Sequence, residues 1–148
     1  LATASGDVIF REPTDLCRAP DDTWVLTDKT VQALFVVDGS ETTMRESGVI
    51  EPSTIACDNT HVYIGGADGI SRIAWPNGTP EKIDDRTVNG LHIFDGVLFG
   101  SNSEWGVFRV LEGNRLGFDA MRIPGRMAGS TQLYVTDWAN SGVWSTAD

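Results

Sequence analysis

Apolar residues recur along the chain in short runs that are separated by glycine, proline, aspartate and asparagine. No long apolar pattern with a helical period of 3.6 residues is present, so the pattern predicts short β-strands joined by turns. The runs also recur along the sequence at a nearly constant spacing. Four apolar anchors with similar surroundings, Leu16, Ile55, Leu91 and Met127, follow one another at intervals of 39, 36 and 36 residues. Self-similarity at such a period is typical of a repeat protein.

Each anchor is followed by further apolar runs in the same order. Second strands are predicted at residues 24–28, 62–66, 97–101 and 133–137, and third strands at residues 33–37, 70–75, 107–111 and 143–146. The turn pairs Asp38-Gly39, Asn77-Gly78 and Gly113-Asn114 are typical of hairpins. They predict fourth strands near residues 43–50, 81–88 and 118–123.

Four strands per repeat predict an all-β propeller, in which neighbouring blades stack because a single blade cannot bury both its faces. The sequence stops at the turn between the third and the fourth strand of the last repeat, and residues 7–12 occupy the place of a fourth strand. We therefore predict one domain, 1–148, of four four-stranded blades: 14–50, 53–88, 89–123 and 125–148, the last completed by 7–12 through pairing with 142–146. The alternative is part of a larger propeller, or one assembled from two copies.

Two second strands and a third strand carry a family resemblance. LYVTDW at 133–138, WVLTD at 24–28 and GVFRV at 106–110 resemble the NHL and YWTD-type propeller repeats. The chain departs from that pattern at Gly65-Gly66 and Gly100-Ser101, where Thr-Asp is expected. The resemblance implies a propeller of a family that usually has six blades, so the larger-propeller alternative stays open beside the four-bladed one. Propellers of this kind include receptor ectodomains, protein-binding scaffolds and calcium-dependent lactonases, so the resemblance leaves these three functions open.

The charge and the cysteines narrow the partners and the compartment. A net charge of −10 disfavours nucleic acid and anionic membranes, and no apolar run approaches the ~20 residues that span a bilayer. Cys17 and Cys57 lie on inner strands of adjacent blades and point to opposite faces, which are the faces that meet between blades. They form either a disulfide or two separate buried thiols. A disulfide would indicate an oxidising compartment, so we predict a secreted, extracellular protein.

Few residues suggest catalysis. His61 falls in a turn and His92 on an inner strand, and neither has a carboxylate or a second histidine at metal-ligand spacing. We predict that His92 is a hydrogen-bonded core residue rather than a catalytic base. Asn77-Gly-Thr is a glycosylation acceptor pattern that fits a plain turn equally well. No nucleophile elbow or phosphate-binding glycine loop is present, so no catalytic residue is assigned.

The candidate binding surface is the loop face, which carries the turns between second and third strands and the connections between blades. Tryptophans beside amides and carboxylates suit a sugar or a peptide, because they combine a flat apolar platform with directional acceptors. An arginine could add a charge-assisted contact. The predicted binding residues are Asn102, Glu104, Trp105, Asp137, Trp138, Asn140 and Arg126. Alternatively, both tryptophans pack between blades, and Asp28 and Asp137 hold loop backbone.

The first functional hypothesis is a non-enzymatic binding or scaffold propeller, monomeric or homo-oligomeric, that recognises a protein or a glycan and needs no cofactor. The rival hypothesis is a calcium-dependent hydrolase of lactones or esters, with Asp28, Asn102 and Asp137 as metal ligands. Calcium needs six or more converging oxygens, and no Asp-x-Asp-x-Asp-Gly loop is present. Such a site would have to be assembled from separate blades.

Overall fold

The computed structural model describes residues 10–116 and 121–146, and all the regular structure in those ranges is β-strand. The first sheet contains β1 (Pro13–Arg18), β2 (Trp24–Asp28), β3 (Ala33–Asp38) and β4 (Glu41–Glu46). The second contains β5 (Thr54–Cys57), β6 (His61–Gly66), β7 (Gly69–Ala74) and β8 (Glu81–Asp84). The third contains β9 (Gly90–Phe94), β10 (Val97–Asn102), β11 (Gly106–Arg109) and β12 (Arg115–Leu116). The described part of the fourth contains β13 (Pro124–Ala128), β14 (Tyr134–Asp137) and β15 (Gly142–Ser145).

Every sheet is an antiparallel meander whose strands pair in chain order. The four sheets stand as blades around a central channel, with β1, β5, β9 and β13 innermost. The prediction of an all-β propeller with four blades is confirmed. The hairpin turns at Gly39 and Gly113 have φ angles of 58° and 70°. Glycine adopts such positive values without steric cost, which is why these residues mark the ends of strands.

Apolar side chains fill the spaces between consecutive blades. One cluster joins blades one and two, where Val25 and Leu34 pack with Ile64. A second joins blades two and three through residues that include Ile70 and Phe108. A third joins blades three and four; it contains Phe99, Val107, Met121, Met127, Leu133 and Val135. Each blade therefore gives one sheet face to each neighbour, as the two-residue period of a strand requires.

The fourth strand of blade three begins earlier than predicted. Its described residues are Arg115–Leu116, whereas the prediction was 118–123. Residues 117–120 lie outside the described residues, and 121–123 form no strand. The reason is a tight turn: the Gly113 amide donates to the Arg109 carbonyl, and the Arg109 amide donates to the Asn114 carbonyl. Pairing with β11 can therefore resume directly after Asn114.

The predicted pairing of residues 7–12 with 142–146 lies largely outside the described residues, which begin at Phe10. Phe10, Arg11 and Glu12 form no strand. The amides of Arg11 and Glu12 donate to the carboxylate of Asp28, so this segment is attached to the loop face of blade one. Three strands of the last sheet are described.

Candidate functional site

Three of the predicted site residues occupy the same position, the last residue of a blade's second strand. Asp28 shows what this position does. Its Oδ2 atom accepts hydrogen bonds from the Arg11 amide at 2.7 Å and the Glu12 amide at 3.0 Å, and Oδ1 accepts from the Val31 amide at 3.0 Å. Burial by itself would raise the pKa of Asp28, but these backbone hydrogen bonds outweigh it and lower the pKa. Asp28 therefore fixes both the following turn and the entry into its blade.

Asn102 does the same in blade three. Its Oδ1 accepts from the Trp105 amide at 2.6 Å and the Glu104 amide at 3.1 Å, while its Nδ2 donates to the Thr87 carbonyl at 2.7 Å. The two ends of the amide therefore join the β10–β11 turn to the connection that leads into the blade.

Asp137 repeats the arrangement in blade four. Its carboxylate accepts from the Ile123 and Ala139 amides at 3.2 and 3.1 Å, and from Asn140 Nδ2 at 2.6 Å. Burial by itself would raise the pKa of Asp137, but the Asn140 side chain and the backbone amides lower it. Asn140 is exposed, so it presents the rest of its side chain to solvent.

Blade two performs this task with a residue that the sequence interpretation missed. Gly66 holds the equivalent position, and a Cβ atom there would lie 2.3 Å from the Ile50 carbonyl oxygen. The carboxylate comes instead from Asp68, whose Oδ1 accepts the Ile50 amide at 2.6 Å. The signal in the sequence is an aspartate displaced by two residues and standing directly before Gly69, which begins the third strand.

Trp105 is packed rather than free. Its ring lies edge-on to Phe108, with 6.3 Å between the ring centroids. The Arg86 guanidinium lies 4.7 Å and that of Arg115 5.5 Å from the ring centroid. Arg115 also donates to the backbone carbonyl of Glu104, and the Glu104 side chain is exposed. Most of the apolar area of Trp105 is therefore already used inside the protein.

Trp138 differs from Trp105 because 54% of its surface is exposed. Its indole lies against the backbone of Gly125, where a Cβ atom would come within 2.3 Å of Trp138 Cε2. The absence of a side chain at Gly125 thus lets the indole lie over the start of inner strand β13. The Ser101 hydroxyl fixes the same backbone by donating to the Gly125 carbonyl at 2.6 Å. Trp138 is a supported apolar platform on the loop face.

Arg126, the residue after Gly125, connects three blades. Its guanidinium forms an ion pair with Asp15 of blade one. It donates to the Thr14 carbonyl at 2.8 Å and to the Ser53 carbonyl of blade two at 3.0 Å. The arginine that was predicted to contact a ligand is therefore partly engaged inside the protein, although 40% of its side chain is exposed.

The central channel contains a cavity of about 600 Å³ that is lined by all four inner strands. On its wall, Cys17 of β1 and Cys57 of β5 form a disulfide with 5.9 Å between their Cα atoms. The bond crosses the interface between blades one and two, in the geometry that opposite strand faces of neighbouring blades require. His92 also lines the cavity, and its Nε2 donates to the Gly129 carbonyl at 3.0 Å.

The other two sequence candidates lie away from the loop face. His61 ends the turn between β5 and β6, where its amide and that of Thr60 donate to Asp58 Oδ1, each at 2.7 Å. Asn77 is exposed in the turn between β7 and β8. Both positions are at the opposite end of the blade from the Gly66–Gly69 turn.

The structure does not bring the three candidate calcium ligands together in one turn, because Asp28, Asn102 and Asp137 end second strands of different blades. Among residues 10–116 and 121–146, no group of three or more His, Cys, Asp or Glu side chains is placed to hold a metal ion. The same residues contain no helix long and apolar enough to cross a membrane.

Comparison with known proteins supports the fold. No protein-family model matches the chain, and no curated protein matches it either. Virginiamycin B lyase from Staphylococcus aureus, solved as an inactive variant with quinupristin, is similar with a TM-score of 0.71 and 14% identity, over 92% of this chain and 52% of the lyase. A chain of a nidogen/laminin complex is similar with a TM-score of 0.72 and 19% identity, over 93% of this chain and 60% of that one.

A third similar structure is the extracellular domain of a putative hybrid two-component system from B. thetaiotaomicron, with a TM-score of 0.67 and 8% identity over 98% of this chain and 26% of that one. The chain thus spans less than two thirds of each of these structures. The nidogen/laminin and lyase structures are propellers of the NHL/YWTD type that the sequence resembles. At these identities the likeness shows the fold alone.

Proposed function

We propose that this protein is a non-enzymatic binding propeller that recognises a protein or a glycan through its loop face. The observation that carries the proposal is Trp138, an indole that is 54% exposed and supported from below by the Gly125 backbone. A rigid, half-exposed aromatic ring provides contact area at little cost in conformational entropy. The neighbouring polar groups of Asn140 and Arg126 supply directional hydrogen bonds at its edge.

The binding surface of this proposal is smaller than the sequence-based set. Trp138 and Asn140 form its centre, Arg126 lines the central cavity next to Gly125, and Glu104 belongs to the preceding blade, blade three. Trp105, Asn102 and Asp137 support the surface from inside, since their side chains are committed to hydrogen bonds or cation–π contacts with the protein itself.

The same hydrogen bonds weigh against a calcium-dependent hydrolase. A calcium ion would need the oxygens of Asp28, Asn102 and Asp137, and each of those residues already accepts two or more N–H groups. Binding calcium would break contacts that hold the loops and would require ligands from different blades to converge. We therefore favour binding without a metal.

We also propose that the protein works outside the cytosol. The Cys17–Cys57 disulfide supports this assignment, because structural disulfides persist in oxidising compartments and are rare in the cytosol. Similarity to an extracellular domain is consistent with it but shows only the fold.

The test is a screen on glycan and peptide arrays, followed by titration of each hit against Trp138→Ala. The matched control is Trp24→Ala, because Trp24 is similarly exposed at 48% but begins β2, at the opposite end of that strand from Asp28. We expect Trp138→Ala to weaken binding about tenfold, as the loss of one aromatic contact does. Equal affinity in both variants, or a hit whose binding needs calcium and is abolished by chelator, would reject the proposal.

A further inference from the structure

A chain of hydrogen bonds runs around the central channel near its loop-face end. In three blades the residue before the anchor supplies a side chain to it, namely Asp15, Thr54 and Arg126. The Leu91 amide donates to Thr54 Oγ1 at 2.9 Å, and Thr54 Oγ1 donates to Asp15 Oδ2 at 3.0 Å. The Arg126 guanidinium donates to the same Asp15 oxygen. These bonds join all four inner strands, and the side chains of Asp15, Thr54 and Arg126 form a polar collar.

The collar contains a cation with spare donors. Asp15 is surrounded by four donors, because its carboxylate also accepts the amides of Ile55 and Leu16, each at 3.0 Å. Arg126 uses three N–H groups on Asp15 and on two backbone carbonyls, and its other N–H groups have no partner in residues 10–116 and 121–146. The Arg126 side chain lines the cavity and is 40% exposed. The collar therefore favours an anion over a cation.

The rest of the cavity wall is apolar in its side chains, apart from Thr14 and His92. The Thr14 hydroxyl and the His92 Nε2 atom each have a hydrogen-bond partner inside the protein, at 2.9 and 3.0 Å. The other wall residues are aliphatic or contain sulfur, as Ile93, Ala128 and the Cys17–Cys57 disulfide show. The free edges of the inner strands add backbone N–H and C=O groups in equal measure, so the side chains decide which charge is preferred.

We propose that the central channel binds a small organic carboxylate with an apolar body. The spare N–H groups of Arg126 hold the carboxylate, because a guanidinium matches its planar shape and the hydrogen bonds between them are charge-assisted. The apolar body lies against the wall below the collar. The cavity of about 600 Å³ has the size of small-molecule sites in proteins.

This site is separate from the loop-face platform. Trp138 does not line the cavity, so binding in the channel needs no contact with it. The occupant also differs in kind, because a cavity among four strands admits a small molecule, whereas the platform is open to a protein or a glycan. Arg126 belongs to both proposals, so a variant that leaves Arg126 in place is needed to tell them apart.

The experiment is calorimetric titration of the full chain, with its disulfide intact, against a panel of alkyl and aryl monocarboxylates and the primary amide of each. We expect an acid to bind saturably at one site per chain, about tenfold tighter than its amide, which keeps the body but loses the charge-assisted hydrogen bonds. Arg126→Met should remove this preference. Arg122→Met is the matched control, because Arg122 is exposed and lies outside the cavity, and it should keep the preference.

Ala128→Trp tests the site without removing the collar. Ala128 is exposed, lines the cavity and shares a face of β13 with Arg126, so an indole there occupies the cavity while Arg126 stays. We expect this variant to lose binding, whereas Ala67→Trp, at an exposed position between β6 and β7, should retain it. Ala128→Trp also decides the matter if Arg126→Met does not fold. A panel without any bound acid, equal affinity of acids and amides, a preference that survives in folded Arg126→Met, or unchanged binding in Ala128→Trp would overturn the proposal.

Discussion

Replacing Asp28 with alanine tests whether the loop carboxylates hold backbone or hold calcium. The side chain is 0% exposed and accepts three backbone amides at 2.7–3.0 Å. Hydrogen bonds to a charged group contribute about 1.5–3 kcal/mol each, but water can reach the amides of exposed Arg11 and Glu12 once the carboxylate is gone. We expect a loss of about 3 kcal/mol in the free energy of unfolding. For a domain of this size that lowers Tm by roughly 6–12 °C.

The assay is thermal and urea unfolding at neutral pH, in chelator and again with added calcium. If Asp28 holds backbone, the loss of unfolding free energy is the same in chelator and in calcium. The control is Asp38→Ala, which removes an exposed carboxylate from the same blade and should cost less than about 0.5 kcal/mol. A loss that appears only with calcium would refute the reasoning and favour the hydrolase hypothesis.

The pH dependence provides an independent check. The folded-state pKa of Asp28 is lower than its unfolded value, so its contribution is fully present above the unfolded pKa of about 3.9. That contribution is lost as the pH falls through the folded pKa. The difference in unfolding free energy between the wild type and Asp28→Asn should therefore shrink on acidification below about pH 4. If the difference in unfolding free energy stays constant from about pH 4 down to about pH 2, the backbone role is contradicted.

Three further predictions concern the channel wall, the platform and the buried tyrosine. Cys17 and Cys57 are 40 residues apart, so by the loop-entropy model replacing both with serine should lower the free energy of unfolding, measured in urea, by about 4 kcal/mol. A loss below about 1 kcal/mol would contradict this model. Gly125→Ala should displace the Trp138 indole, so that its fluorescence changes and ligand affinity falls; an unchanged spectrum would refute the contact. Burial, and to a smaller extent the Asp58 carboxylate, raise the pKa of Tyr63 to about 12. An alkaline titration should therefore show a late phenolate step that is absent in Tyr63→Phe. Complete ionisation of the tyrosines by about pH 11 would contradict the raised pKa.

Much of the fold could be predicted because its signals are local. The anchors recur at a nearly constant interval, and the turn residues Gly39 and Gly113 mark the hairpins directly. Strand ends were predicted less well, since the start of β12 depends on the hydrogen bonds of a particular turn. The pairing of residues 7–12 with 142–146 stays a prediction.

The candidate site was predictable by position but not by role. The sequence aligns Asp28 with Asp137 but sets Ser101 at the matching point of blade three, whereas in the structure that point is Asn102, because β10 runs one residue further than predicted. It also does not reveal that Asp68 substitutes for Gly66, because that exchange depends on the close approach of the Ile50 carbonyl. Similarly, the guanidinium groups of Arg86 and Arg115, 19 and 10 residues away in sequence by their numbers, lie against the ring of Trp105. Contacts between residues far apart in sequence decide which side chains remain available, and a local pattern does not contain them.

The two loop-face tryptophans show why availability matters more than residue type. A ligand gains free energy only from surface that is still in contact with water. Trp105 is already covered by Arg86, Arg115 and Phe108, so replacing it removes internal packing and should reduce stability. Trp138 is 54% exposed, so replacing it should reduce affinity while leaving most of the stability in place. Residues of one chemical kind on one face thus separate into structure and function because the surrounding blades bury one and leave the other open.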